Sequence, residues 1–185
     1  MIEDLLREAE DKMGKSLEAA RNEFQQIRTG RASPAMVEGV VVNYYGSDLP
    51  LRDVASISVP EARQLLITPF DKGAIGAIEK GILKSDVNIT PNNDGAAIRL
   101  NIPPLNEERR KEFIRLLHKK AELSYAAMRN IRHDINNHIK ALTKKKEIGE
   151  DDERRATDKV QKLTDQFIAE VGKAVKTKEQ ELMEV

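Results

Sequence analysis

The sequence predicts an α+β protein in which three long helices form a bundle and a small mixed domain is inserted between the first and second helices. Three segments repeat apolar residues at every third or fourth position, which is the spacing of an amphipathic helix. Residues 31–104 instead contain short β-branched runs, which are typical of strands. We therefore assign residues 1–30 and 105–185 to the bundle and residues 31–104 to the insertion.

The first helix is predicted over residues 2–27. Its apolar stripe consists of Ile2, Leu6, Ala9, Met13, Leu17, Ala20, Phe24 and Ile27. The stripe stops at residues 28–34, where Gly30 frees the backbone dihedrals and Pro34 opposes simple continuation of a helix. The first helix therefore ends before the inserted domain begins.

The inserted domain is predicted to alternate between strands and a helix. Strands are expected at residues 39–45, 54–59, 64–68, 87–89 and 97–102, and a short helix at residues 74–84. The region ends at Pro103 and Pro104, which lack backbone N–H donors and make a stiff, extended connection. The order of elements favours a β/α/β domain.

Two further helices follow the proline pair. Asn106 is a suitable N-cap for a second helix, which continues without Gly or Pro to Ile148. Gly149 breaks it, and Glu150 begins a third helix. The two stripes consist of Leu117, Ala121, Ser124, Met128, Ile131, Ile135, Ile139 and Leu142, and of Ala156, Val160, Leu163, Phe167, Val171 and Ala174. The three stripes indicate an antiparallel bundle with one shared core.

The second helix is strongly basic, although the whole chain has a formal net charge of zero. Residues 109–146 contain twelve Lys and Arg against three Asp and Glu. A concentrated positive surface is typical of proteins that contact phosphates, because each docked cation releases condensed counterions. The alternative is a solvated helix face with local ion pairs. Three acids cannot neutralise twelve bases, which favours a binding surface.

A helical wheel places several of these cations on one flank of the second helix. With Ile135 at 0° and about 100° per residue, Arg132 falls near 60°, Arg129 near 120° and Lys140 near 140°. Arg110 lies at the start of the same helix. Arginine favours phosphate recognition because its planar fork donates to two oxygens at once. The alternative is that Arg129 and Arg132 pair with acids of the first or third helix.

The sequence offers little support for catalysis or for a metal site. It has no Cys, and its histidines, His118, His133 and His138, lack the spacing that aligns metal ligands on one helical face. Gly73, Gly76 and Gly81 do not follow a phosphate-loop or dinucleotide pattern, and we expect them to let a small helix pack closely on a sheet. We expect no enzymatic activity, cofactor or metal.

The N-terminus and the apolar runs predict a cytoplasmic protein. Residues 1–6 carry acids where a signal peptide needs bases, and no apolar run approaches the roughly 20 residues that cross a bilayer. With 4% aromatic residues, base stacking is a weak option, so folded RNA read by its shape is the expected partner.

Several segments together resemble the bacterial ribosome recycling factor family. They are residues 27–34 (IRTGRASP), 44–46 (YYG), 103–105 (PPL), 107–111 (EERRK), 129–134 (RNIRHD) and 163–165 (LTD). Each segment alone is weak, but their order and distances cover essentially the whole chain. The resemblance implies an L-shaped molecule and a non-enzymatic role in translation.

The resemblance also implies partners and binding residues. Members of this family bind the large ribosomal subunit after termination and split the ribosome with elongation factor G and its GTP hydrolysis. The family's RNA-binding positions correspond to Arg28, Arg31, Arg110, Arg129 and Arg132 in this chain. The partners implied are the large subunit with its ribosomal RNA and elongation factor G, and we expect a monomer without membrane contact.

Residues 28–31 and 102–106 both cross the domain border, so Gly30, Pro103 and Pro104 are predicted hinge residues.

The alternative function is that of a helical, chaperone-type co-factor whose basic face meets an acidic protein surface. Steep weakening of binding by salt would favour RNA as the partner.

Overall fold

The structure is a computed structural model that describes residues 1–184, and it divides into two compact units. The first unit comprises residues 1–29 and 107–184, and the second comprises residues 30–106. The first consists of long helices, whereas strands and short helices make up the second. The α+β class that the sequence predicts is confirmed.

The helices and strands are numbered in chain order. The helices are α1 (Ile2–Gln25), α2 (Leu51–Val54), α3 (Ile75–Lys84), α4 (Glu107–Lys144) and α5 (Glu150–Met183). The strands are β1 (Val41–Tyr44), β2 (Ser47–Pro50), β3 (Ala55–Glu61), β4 (Gln64–Pro69), β5 (Asn92–Asn93) and β6 (Ile98–Asn101). Two single 3₁₀ turns lie at Pro34–Met36 and Lys72–Ala74.

In the first unit, α4 runs antiparallel to both α1 and α5. Glu23, near the end of α1, pairs with Lys120 in the first half of α4. Glu179, near the end of α5, hydrogen-bonds His118, which lies two residues before Lys120 on α4. At the opposite end, the first turns of α1 and α5 pack with the last turns of α4 in one apolar cluster. The antiparallel arrangement predicted for the second helix is therefore observed.

The bundle core follows the predicted stripes closely in α1 and α4 and less closely in α5. In α5, Leu163 and Phe167 are only partly buried, whereas Thr164 is fully buried. The Thr164 hydroxyl donates a hydrogen bond of 2.7 Å to the Val160 carbonyl oxygen. This local bond satisfies the hydroxyl, so a polar residue occupies a core position without an unpaired donor.

The end of α4 differs from the prediction. The sequence predicts continuation to Ile148, but the helix ends at Lys144 because Lys146 adopts a left-handed conformation with φ of 61°. The N–H of Lys146 donates to Thr143 O, and the N–H of Glu147 donates to Leu142 O. These two bonds form a Schellman motif, which ends the helix before Gly149. Gly149 instead begins α5 as its N-cap.

The second unit contains two antiparallel sheets. β1 and β2 form a hairpin, and the other four strands form a sheet in the order β3, β4, β6, β5. Inward-facing side chains build the core of this unit together with α3. Its fully buried members are Val37, Val42, Leu51, Leu65, Ile67, Ile78, Ile98 and Leu100.

Predictions for the second unit were correct for most long elements and wrong at one strand. Residues 87–89 are not a strand, because Ser85 forms a local turn. The Ser85 hydroxyl donates to Ile82 O and accepts from the N–H of Val87, and Asn88 has a φ of 54°. The short strands β2 and β5 and the turn α2 were not predicted.

A tyrosine pair marks the end of the β1 strand. Tyr45 has a backbone φ of 48°, which residues other than glycine rarely adopt, and 75% of its surface is exposed. The hydroxyls of Tyr44 and Tyr45 both donate to Asp71, at 3.2 and 2.9 Å, and the N–H of Gly73 donates to the other Asp71 oxygen at 2.9 Å. Asp71 therefore holds three donors from two segments of the unit.

Candidate nucleic-acid interface

The buried stripe of α4 fixes the rotation of this helix and hence the position of its basic flank. Ile135 and Ile139 are 1% and 0% exposed within the core. Arg129 and Lys140 are exposed, and Arg132 is partly buried beside α5. We call Arg129, Arg132 and Lys140 the α4 basic flank. All three lie in the first unit.

Arg132 is held by a neutral side chain from α5. Its Nη1 donates a hydrogen bond of 3.1 Å to Gln161 Oε1. The alternative interpretation of the sequence was that acids on the neighbouring helices would pair with Arg129 and Arg132. Among residues 1–184, neither arginine forms an ion pair with a carboxylate. Arg132 therefore has an ordered position and keeps its full charge.

Several other cations of the bundle pair with carboxylates, in contrast to those of the basic flank. Lys120 of α4 pairs with Glu23, and Arg21 of α1 pairs with Glu18 at 2.7 Å and with Glu170 at 3.4 Å. Lys140, like the two arginines of the flank, has no ion-pair partner within the described part of the chain. The flank therefore presents positive charge that has no directly bonded carboxylate within the described residues.

The remaining predicted RNA-binding arginines lie near the ends of the units. Arg28 is exposed in the segment after α1, and Arg110 lies in the first turn of α4. The Arg110 Nε atom is buried without a hydrogen-bond partner among the described residues. Arg31 is exposed and belongs to the second unit. The structure does not assign these three to the α4 basic flank.

The predicted hinge residues have unusual backbone features. Gly30 has a φ of 76°, and a Cβ built on it would lie 3.4 Å from the Leu105 nitrogen and 3.5 Å from Leu105 Cγ. The two chain connections therefore run side by side at this point. Pro103 and Pro104 are exposed and extend between β6 and α4.

Sequence reasoning missed the α5 contribution to the flank. Gln161 donates through Nε2 to Asp165 Oδ1 at 2.9 Å while it accepts from Arg132. The signal was present, because Gln and Asp four residues apart on a helix face each other. Asp165 also belongs to the 163–165 segment that carried the family resemblance.

No group of three or more His, Asp or Glu residues within 1–184 could hold a metal ion. His133 and His138 are exposed on α4, and His118 is engaged with Glu179. In the same range, no helix has both the length and the apolar character needed to cross a bilayer.

Fold and flank together define an α+β protein with two compact units, one of which is a helical bundle with uncompensated positive charge. A family model described as ribosome recycling factor matches residues 20–183. Named ribosome-recycling factors from Carboxydothermus hydrogenoformans and Shouchella clausii are 54% and 50% identical over 185 residues, covering 100% of both chains. The chain belongs to the ribosome recycling factor family.

Solved structures give the same result. A solution structure of ribosome recycling factor superposes with a TM-score of 0.75 at 43% identity, covering 100% of this chain and 98% of the other. A second structure contains T. thermophilus ribosome recycling factor and E. coli elongation factor G bound to the E. coli post-termination complex. The match covers 100% of this chain and 100% of the matched chain, with a TM-score of 0.65 and 40% sequence identity.

Proposed function

We propose that this protein binds the large ribosomal subunit after translation termination and, with elongation factor G and GTP hydrolysis, promotes splitting of the post-termination complex into subunits. Family membership supports this role. A similar chain has been described together with elongation factor G on a post-termination complex. Such a factor works in the cytoplasm, where the ribosomes are, and acts as a monomer.

The observation that carries the proposal is the uncompensated charge of the α4 basic flank. Arg129, Arg132 and Lys140 lie on one side of a rigid helix and have no carboxylate partner within residues 1–184. Cations in such a row suit the phosphates of folded RNA, where each contact releases counterions. The flank is therefore the proposed contact with ribosomal RNA, and Arg28, Arg31 and Arg110 are proposed as further contacts.

The chain itself is proposed to have no catalytic activity. Nothing in the sequence follows the phosphate-loop pattern that holds a nucleotide, so hydrolysis of GTP belongs to elongation factor G. In this scheme the protein supplies binding and mechanical coupling. Residues 28–31 and 102–106, with Gly30, Pro103 and Pro104, are the proposed hinge between the two units.

The test is the Arg132→Ala substitution in the full-length protein. We expect binding to purified bacterial large ribosomal subunits to weaken by about 1–3 kcal/mol, the range for hydrogen bonds to charged groups. The slope of log affinity against log salt should fall by about one, because one phosphate contact is lost. Thermal melting should change little, since Arg132 has only a neutral partner.

A matched control is Arg7→Ala, which removes an exposed arginine from α1. This variant should bind the subunits nearly as well as the wild type. If Arg132→Ala left affinity unchanged while lowering the melting temperature strongly, Arg132 would be structural and the proposed interface would be wrong. If binding of the wild-type protein showed no salt dependence, the positive charge of the flank would not drive binding and the proposed RNA interface would be wrong.

A further inference from the structure

Three polar side chains form a chain of hydrogen bonds beside the α4 basic flank. Arg132 donates from Nη1 to Gln161 Oε1 at 3.1 Å, and Gln161 donates from Nε2 to Asp165 Oδ1 at 2.9 Å. Gln161 and Asp165 both lie on α5 and are both exposed. A surface side chain on α5 thus contacts Arg132 on α4.

Asp165 determines which end of the Gln161 amide faces Arg132. An ionised carboxylate only accepts hydrogen bonds, so the amide group next to Asp165 must present its NH₂. The amide oxygen then points to Arg132, which only donates. The opposite orientation would place donors against donors at Arg132 and oxygen against oxygen at Asp165. The orientation of Gln161 therefore follows from its two neighbours.

We propose that Gln161 is a positioning residue that holds the guanidinium of Arg132 ready for a phosphate of ribosomal RNA, with Asp165 setting the orientation of Gln161. The inference rests on the proposed function, in which Arg132 contacts RNA. Gln161 occupies one of the five N–H donors of the guanidinium and leaves the others available.

The neutrality of Gln161 is part of this role. A carboxylate at position 161 would also accept a hydrogen bond from Arg132, but its negative charge would oppose an approaching phosphate. A glutamine orders the side chain and leaves the positive charge intact. Arginine has large rotamer entropy, so ordering it before binding reduces the cost of forming the complex.

The first experiment compares Gln161→Ala with Gln166→Ala, which removes an exposed glutamine elsewhere on α5. With purified bacterial large ribosomal subunits, Gln161→Ala should bind about two- to tenfold more weakly, the range for immobilising one flexible side chain. The salt slope should stay at the wild-type value, because Arg132 still reaches its phosphate. Wild-type affinity of Gln161→Ala, or an equal loss in Gln166→Ala, would overturn the proposal.

The second experiment isolates the hydrogen bond from Asp165. Asp165→Asn and Asp165→Ala both remove the negative charge, but only Asn keeps an oxygen that can accept from Gln161. If charge alone mattered, both variants would bind RNA equally and more tightly than the wild type. The proposal requires Asp165→Ala to bind at least about twofold more weakly than Asp165→Asn. Equal affinities of the two variants would contradict it.

The third experiment tests whether Gln161 acts through Arg132. In an Arg132→Ala background, adding Gln161→Ala should cause no further loss of subunit binding, because the residue it positions is absent. A full further loss would show that Gln161 contacts RNA itself, and the positioning role would be rejected. If Arg132→Ala alone left binding unchanged, the proposed RNA interface would fail. If only Gln161→Ala left it unchanged, the interface would stand without this positioning residue.

Discussion

Gly81 of α3 lies so close to Val41 of β1 that a Cβ on residue 81 would stand 2.7 Å from the Val41 carbonyl oxygen. The same Cβ would lie 3.5 Å from Val42 Cγ2. The absence of a side chain at position 81 thus allows the helix to rest on the backbone of the hairpin. Close approach of α3 to a sheet was expected from the sequence, but Gly76 faces open space.

This contact predicts opposite effects for two substitutions in one helix. Gly81→Ala should destabilise the second unit by about 1–3 kcal/mol, the usual cost of overpacking. Gly76→Ala is the matched control, and it should be neutral or stabilising by up to about 1 kcal/mol, because alanine favours helices. Chemical denaturation of both full-length variants measures the difference. Equal stability of the two would contradict the contact.

The second prediction concerns acid. Hydrogen bonds from the N–H of Gly73 and from the hydroxyls of Tyr45 and Tyr44 lower the pKa of Asp71 below its ordinary value of 3.8. A lowered pKa in the folded state adds stability above pH 3.8, and this contribution is lost as the pH falls through the folded-state pKa. Asp71→Asn should therefore be less stable than the wild type at neutral pH, with the difference shrinking below about pH 4.

Urea denaturation of the two proteins between pH 3 and pH 7 measures this difference. Asp48→Asn serves as the control for charge, because Asp48 is exposed on β2. Its stability at neutral pH should lie closer to the wild type than that of Asp71→Asn. A constant difference between the wild type and Asp71→Asn across the pH range would show that the three donors do not stabilise the ionised form.

The third prediction concerns the proposed hinge. Because Gly30 has a φ of 76°, Gly30→Val places a β-branched residue in a conformation that costs about 1–3 kcal/mol. We expect factor-dependent splitting of ribosomes to fall more than subunit binding, since the flank lies on the bundle. Gly39→Val is the control, because that position has open space around it and no positive φ. An equal loss of binding and splitting, or no loss of either, would remove Gly30 from the proposed hinge.

The fourth prediction concerns the independence of the bundle. Replacing residues 30–106 by a short Gly-Ser linker between Thr29 and Glu107 should leave a helical protein that melts cooperatively. It should bind large subunits through the α4 basic flank but should not support splitting. Circular dichroism and subunit binding test the two parts. A product without helical signal would mean that the two units need each other to fold.

Sequence periodicity was sufficient to predict the buried residues of helices in which one residue spacing dominates. The stripes of α1 and α4 predicted the buried residues and therefore the side of α4 on which Arg129, Arg132 and Lys140 lie. Long helices have many repeats, so an error at one position does not rotate the whole stripe. The positions of these cations on the helix can thus be predicted from the sequence.

Features that depend on single side chains were missed. Thr164 entered the core because its hydroxyl has a local acceptor, and apolar periodicity carries no information on that bond. Lys146 ended α4 by adopting a conformation usually filled by Gly. Ser85 and its two hydrogen bonds replaced a predicted strand with a turn. The Gln161 contact needs the packing of two helices, which a wheel drawn for one helix does not contain.

The order of the elements also bears on how a nascent chain reaches this fold. α4 and α5 are separated only by residues 145–149, so they can meet as soon as both are made, at little loop-closure cost. The partner helices of α1 are instead synthesised only after the 77 residues of the second unit. At about 5–20 residues per second, its apolar face is without partners for at least about 4 to 15 seconds. The first helix to leave the translating ribosome thus exposes its apolar face until its partner helices in the bundle have been made.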